Sequence, residues 1–175
     1  MISDRARRRF HEVFVPHLED GYSLARWLTK DATDAEDVVQ EAAIRALDAL
    51  ERTDVAQGKA WTLAIVRNTA LTWMKRKRPG ELTFVGDAND LELLDYTLEA
   101  SQTAEEAIIA AETRARVRDA IGSLPSPLRE TLIMREINDL NYKEIAEATD
   151  VPIGTVMSRL ARARTAVARA LKDAK

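Results

Sequence analysis

The stretch from Asn141 to Ala170, NYKEIAEATDVPIGTVMSRLARARTAVARA, constrains the fold more than any other part of the chain. It holds two helical patterns separated by one break. Asn141 can cap the first, and Glu144 stands at capping-box spacing from it. Ile145, Ala146 and Thr149 give that helix one buried side. Asp150, Val151 and Pro152 break the pattern, because proline lacks an amide hydrogen and disfavours helical geometry in the residue before it. A second helix then runs from about Ile153 to Leu171, with Ile153, Val156, Leu160, Ala163, Val167 and Leu171 in one apolar stripe. Thr155, Ser158, Arg159, Arg162 and Arg169 fall on the other side, and Gly154 leaves room for a backbone to approach. One face holds the helix down; the other offers hydroxyls and guanidinium groups, as a major-groove reading helix requires. A solvated amphipathic helix with basic side chains accounts for the same residues.

Composition narrows the setting. The chain of 175 residues carries no cysteine, which excludes disulfides, thiolate metal sites and direct thiol redox sensing. No apolar run is long enough to span a membrane, and the arginine-rich start SDRARRRFHE has no apolar segment behind it, so a cytoplasmic chain without membrane insertion is expected. The net charge of −3 hides a partition. Residues 1–80 sum to +2, residues 81–112 to −9 with no base among them, and residues 113–175 to +4. The two ends can each meet phosphate, and the acidic middle avoids it.

Taken in order, residues 4–19 read as a helix, with Phe10, Phe14 and Leu18 at four-residue spacing; Gly21 interrupts, and Tyr22 to Leu28 resumes the helix. Thr33 with Glu36 forms a capping-box pair ahead of a helix from Asp34 to Leu50, whose first turn is crowded with acids that suit the helix dipole. Val39, Ala43, Leu47 and Leu50 face inward, with Val38, Ala42 and Ala46 beside them. Asp37, Gln40, Glu41 and Ile44 form a separate stripe, read by spacing alone either as a protein-docking face or as an ordinary solvated one. Asp54 to Gly58 is a turn. The helix from Lys59 to Arg78 interleaves Trp61, Asn68 and Trp73 with Lys59, Arg67, Lys75, Arg76, Lys77 and Arg78. Rings among cations suit single-stranded nucleic acid, although both tryptophans also fit a core. Pro79 and Gly80 end this helix, and Glu81 to about Gln102 is an acidic linker. Thr103 with Glu106 caps a helix to Ile121 stopped by Gly122. Ser126 caps, and Pro127 opens, a helix that places Leu128, Leu132, Ile133 and Ile137 for burial. The result is an all-α chain of two small helical domains, 1–80 and 104–175, joined by an acidic linker at 81–103.

Together these pieces resemble a minimal bacterial sigma factor of the extracytoplasmic function (group IV) class, in the sigma-70 superfamily. DAEDVVQEAAIRAL resembles the region-two helix that docks on the clamp helices of the polymerase β′ subunit. AWTLAIVRNTALTWMKRKRP resembles the region-two segment that melts and reads the minus-ten element. LPSPLRETLIMREINDLNYKEIAEATDVPIGTVMSRLARAR resembles region four, which reads the minus-thirty-five element. The resemblance covers nearly everything except the linker.

The resemblance implies roles. Asp37, Gln40, Glu41 and Ile44 match the polymerase-docking stripe. Asn68 matches a position near the flipped minus-ten base, and Lys59, Trp61, Arg67, Trp73, Lys75, Arg76 and Arg78 lie in the segment that contacts the strands or their phosphates. Gly154, Thr155, Ser158, Arg159 and Arg162 match the recognition-helix contacts. Met157 and Ala161 depart from relatives that carry a basic or a larger side chain there. The implied partners are core polymerase (β′ clamp helices and β flap), promoter DNA and an anti-sigma factor, with no cofactor. Since the chain ends at Lys175, soon after the recognition helix, no appended regulatory domain is expected. Neither unit is strongly basic, so free DNA affinity should be weak, and docking on polymerase would supply avidity. Two other readings compete. A helix-turn-helix regulator acting without polymerase explains residues 113–175 but leaves the two region-two helices unexplained. An enzyme finds little support: His11 and His17 are six apart and not on one helical face, and there is no phosphate-cradling glycine loop.

Overall fold

The structure, a computed structural model, describes residues 2–77 and 104–173, with side chains from residue 109 onward in the second stretch. The acidic linker, the Thr103–Glu106 cap and Arg78 lie outside the described residues. The described elements are all helical: α1 (Asp4–Val13), a 3-10 turn (Val15–His17), α2 (Leu18–Thr29), α3 (Ala32–Leu50), α4 (Gly58–Lys77), α5 (Ala104–Gly122), α6 (Ser126–Glu136), α7 (Tyr142–Thr149) and α8 (Ile153–Asp173). No helix among them is long and apolar enough to cross a membrane.

In the N-terminal half, α2, α3 and α4 pack mutually, with α1 against α3 and α4. The expected single helix over 4–19 is split. Phe14 closes α1 and Pro16 sits in the 3-10 turn, because a proline cannot donate the hydrogen bond that would carry α1 onward. Gly21, expected to interrupt, lies inside α2 instead. A Cβ built on it would stand 3.1 Å from Val66 Cγ2, so the glycine lets α2 lie against α4. The cap of α3 is Asp31 rather than Thr33: its side chain accepts from the Asp34 amide at 2.8 Å. The buried face of α3 is Ala35, Val38, Val39, Ala42, Ala46 and Leu50, which leaves Ala43 and Leu47 half-buried at its margin.

The C-terminal half reproduces the expected helix-turn-helix. Asn141 and Glu144 form a complete capping box, with the Asn141 side chain accepting from the Glu144 amide at 2.9 Å and Glu144 accepting from the Asn141 amide at 2.7 Å. Asp150 ends α7 in the left-handed conformation (φ 54°). α6 starts one residue earlier than expected, with Pro125 as its cap, Ser126 inside the first turn and no side-chain cap bond. Six consecutive residues of α6, Arg129 to Met134, are buried. A helix buried on every side must be covered from more than one direction. Here α8 covers one side and α2 another, while α7 packs on α4. The buried apolar residues of both halves therefore form one continuous cluster running from Phe14 to Ala163. Two residues expected inside are not. Ile137 is at the exposed end of α6, and Ile153, 45% exposed, opens α8 beside the turn.

Candidate functional site

Two surfaces and the seam between the halves hold the residues singled out by the sequence. On α3, Ile44 and Gln40 are exposed and Asp37 and Glu41 are half-buried. Ile44, 69% exposed, is the largest departure from apolar burial among the described residues. The helix buries its opposite face against α2 and α4, so this strip is what remains to meet a partner. Glu41 ties the strip to the basic end of α4: it forms an ion pair with Arg45 one turn on and lies 3.7 Å from Arg76 Nη1.

Along α4 the expected nucleic-acid residues divide. Lys59 and Trp61 sit in its first turn, roughly 21–26 Å along the axis from Lys75 and Arg76 at 1.5 Å per residue. The structure therefore does not bring them to one spot. Lys59 Nζ lies 3.2 Å from Asp20 Oδ2, and Trp61 lines a cavity between α4 and α7 together with Ala64, Glu147 and Ala148. Asn68, Lys75 and Arg76 are exposed, and with Thr72 they follow one side of the helix at i, i+4, i+7 and i+8. Trp73 is half-buried against the core, with its indole N–H sealed and without a hydrogen-bond partner among the described residues. Arg67 turns the other way, into the seam: Nε and Nη2 donate to the two carboxylate oxygens of Glu130 at 2.8 and 3.0 Å, and Nη1 donates to Asn68 Oδ1 at 3.1 Å.

On α8, Val156, Leu160 and Ala163 fix the helix, while Gly154, Met157, Ser158, Ala161 and Arg162 are exposed and Thr155 is half-buried. A Cβ on Gly154 would meet nothing within 4 Å among the described residues, so the space in front of it is open to an external group. Hydroxyl, guanidinium and the Met157 side chain thus share one outward face, a set that can reach phosphates, base edges and a thymine methyl. Arg159 differs from its neighbours: its side chain is only 18% exposed, and Nη1 lies 3.6 Å from Glu130 Oε1.

Sequence reasoning missed Arg129 and Glu130. Arg129 is fully buried; it donates to the Trp27 carbonyl at 3.1 Å and to the Leu124 carbonyl at 2.7 Å. Burial pulls its guanidinium down to about 10, still well above neutrality, so it stays charged in its site. The available signal was a charged pair set among Leu128, Leu132 and Ile133.

Comparison with known proteins agrees along the chain. Residues 13–79 match a family model described as sigma-70 region 2, and residues 114–167 one described as sigma-70, region 4. The sequence is 36% identical over 146 residues to the RNA polymerase sigma-H factor of Pseudomonas aeruginosa, covering 81% of this chain and 75% of that one. It is 37% identical over 142 residues to the ECF RNA polymerase sigma-E factor of Escherichia coli, covering 77% and 72%. Among solved structures it is similar to the sigma factor RpoE of Bartonella quintana, crystallised with the anti-sigma factor NepR, at a TM-score of 0.71 and 20% identity over 94% of this chain and 98% of that one. It is also similar to CnrH, solved with the cytosolic domain of CnrY, at a TM-score of 0.66 and 24% identity over 97% and 90%. At those identities the structural likeness speaks to the fold.

Proposed function

We propose a function from one premise: the chain belongs to the extracytoplasmic function (ECF) family of sigma-70 factors. Within that family we assign it to group IV, with region two in residues 1–80, an acidic linker at 81–103 and region four in residues 104–175. It acts in the cytoplasm as an alternative initiation factor that binds core RNA polymerase and directs it to a restricted set of promoters. It is not an enzyme. Control by an anti-sigma factor is supported by two structural relatives, one solved with the anti-sigma factor NepR and one with the cytosolic domain of CnrY, and we extend the reading to a role in stress response.

The observation that carries this reading is the strip Asp37–Gln40–Glu41–Ile44. A regulator acting without polymerase has no use for an isoleucine left 69% exposed among carboxylates on the solvent face of this helix. In the sigma reading this strip meets the β′ clamp helices, and region four meets the β flap. Asn68, Lys75, Arg76 and Trp73 then engage the minus-ten strands, with Arg67, Lys59, Trp61 and Arg78 assigned to the same segment. Capturing an unstacked base costs a few kcal/mol, which stacking and hydrogen bonding offset. Gly154, Thr155, Ser158, Arg159 and Arg162 serve the minus-thirty-five element.

Run-off transcription with purified core polymerase on a library of promoter fragments tests the proposal. Specific transcripts are expected, and they should vanish with Asp37→Arg plus Glu41→Arg. Absence of transcripts and of co-migration with core, combined with tight operator binding by the chain alone, would favour the polymerase-independent regulator instead.

A further inference from the structure

Arg67 and Arg159, which the sequence assigns to different promoter elements, meet at one carboxylate. Glu130 on α6 is 2% exposed and takes Arg67 of α4 in a bidentate pair, with Arg159 of α8 at 3.6 Å from the same Oε1. The first contact crosses between the halves; the second stays within the C-terminal one. Two further side chains donate across the same seam. Arg129 donates to the Trp27 carbonyl, and the Asn138 amide donates to the Asp20 carbonyl at 3.3 Å and to Asp20 Oδ1 at 3.2 Å.

The consequences differ for the two surfaces. Arg67 is 15% exposed, its fork is committed to Glu130, and its remaining nitrogen holds the Asn68 amide oxygen that a base edge would need. Meanwhile Gln40 and Ile44 stay in solvent. Distance makes the same point. The minus-ten and minus-thirty-five elements lie about 25 base pairs apart, on the order of 80 Å of duplex at 3.4 Å per step. Two guanidinium groups that share one carboxylate cannot serve both elements at once.

Resting on the sigma reading above, we propose that Glu130 is a latch that holds the chain in a closed form, open to polymerase and silent toward promoters. Parting of the halves releases Arg67 to the strand and leaves Glu130 to Arg159 alone, where it braces the reading helix. Removing Glu130 therefore shifts the chain toward the open form without touching the docking strip.

The chain has no cysteine, so labels can be placed at chosen sites. Spin labels at Glu36→Cys on α3 and Arg169→Cys on α8, both exposed, report the separation of the halves by pulsed electron resonance. Glu130→Gln and Arg67→Gln should each shift the distance distribution to longer values, and the double variant should resemble either single one, since all three break the same bond. An unchanged distribution in Arg67→Gln would overturn the latch, and this variant leaves the buried α6 carboxylate in place should Glu130→Gln fail to fold. A second arm uses unlabelled chain carrying Ala64→Cys and Ala148→Cys, which line the cavity between α4 and α7, bridged by a cleavable bis-thiosulfonate. The bridged chain should still bind core polymerase but lose run-off transcript, and reductant should restore it. Equal transcription from bridged and reduced forms would refute the silence of the closed form. Failure of the reduced form and the wild type to bind core would instead refute the sigma reading, with the distance measurement still deciding the latch.

Discussion

Truncating Ile44 is the sharpest test of where this chain meets polymerase. Full burial of an isoleucine side chain is worth about 1.5–3 kcal/mol. In the free chain Ile44 is 69% exposed, so a partner that seals it gains about 1–2 kcal/mol from this residue. Ile44→Ala should therefore weaken core binding about 5- to 30-fold, and Ile44→Lys more, because a charge would be desolvated. Folding should change by less than about 0.5 kcal/mol, as for a surface substitution away from the core. The assay is competition of each variant against fluorescent wild-type chain for core polymerase, with urea unfolding in parallel. Met157→Ala serves as the control: that side chain is 54% exposed, but on α8, so core affinity should hold while preference at the minus-thirty-five element shifts. If Ile44→Ala binds core as the wild type does, the docking face is elsewhere. If Met157→Ala weakens core binding as much, exposed apolar area rather than the α3 strip is responsible.

Three further outcomes concern the frame that holds these surfaces. Gly21→Ala places a methyl 3.1 Å from Val66 Cγ2, and Val66 is fully buried and stiff at χ1. Overpacking of about 1–3 kcal/mol should outweigh the helix-propensity gain of about 1 kcal/mol. Urea unfolding should show a loss, with Gly21→Ala/Val66→Ala costing less than the sum of the single changes; a more stable Gly21→Ala would refute the close approach. Asn141→Ala removes the cap of α7 and should cost about 1 kcal/mol in urea unfolding, largely restored by Asn141→Asp; an aspartate no better than alanine would refute the capping account. The Ser3 amide and hydroxyl both donate to Glu51, which lowers that carboxyl below its ordinary value. A depressed acid contributes stability above its unfolded value and loses it as pH falls through the folded one. Protection at the start of α1, the intrinsic exchange rate relative to the observed rate at the same pH, should therefore fall on acidification below about pH 4.5, and a protection factor that stays level across that range would refute the tether.

What could be read from the sequence was what neighbouring residues decide. The Asn141–Glu144 box, the Pro152 break and the Gly122 stop each involve groups within a turn of one another, and each stands where the local chemistry put it. The errors arose where a distant segment decides. Gly21 looked like a breaker because nothing local says that Val66 lies above it. Ile153 belonged to an apolar period, but the period extends one residue past the surface that covers it. Asp31 and Thr33 are both acceptable caps, and a choice between them turns on where the chain leaves α2. Glu130 is the informative case. Arg129 and Glu130 stand in an apolar run of α6, and charges buried there must be paired. The sequence therefore already required partners for both. It did not say which: Arg67 is one of 26 basic residues, 63 positions away, and only the packing of α4 across the seam selects it. The same packing puts the Trp27 carbonyl in reach of Arg129. A buried charge in a helix pattern thus predicts that an interface exists before any feature predicts its address, and in this chain that interface joins the two reading units to each other.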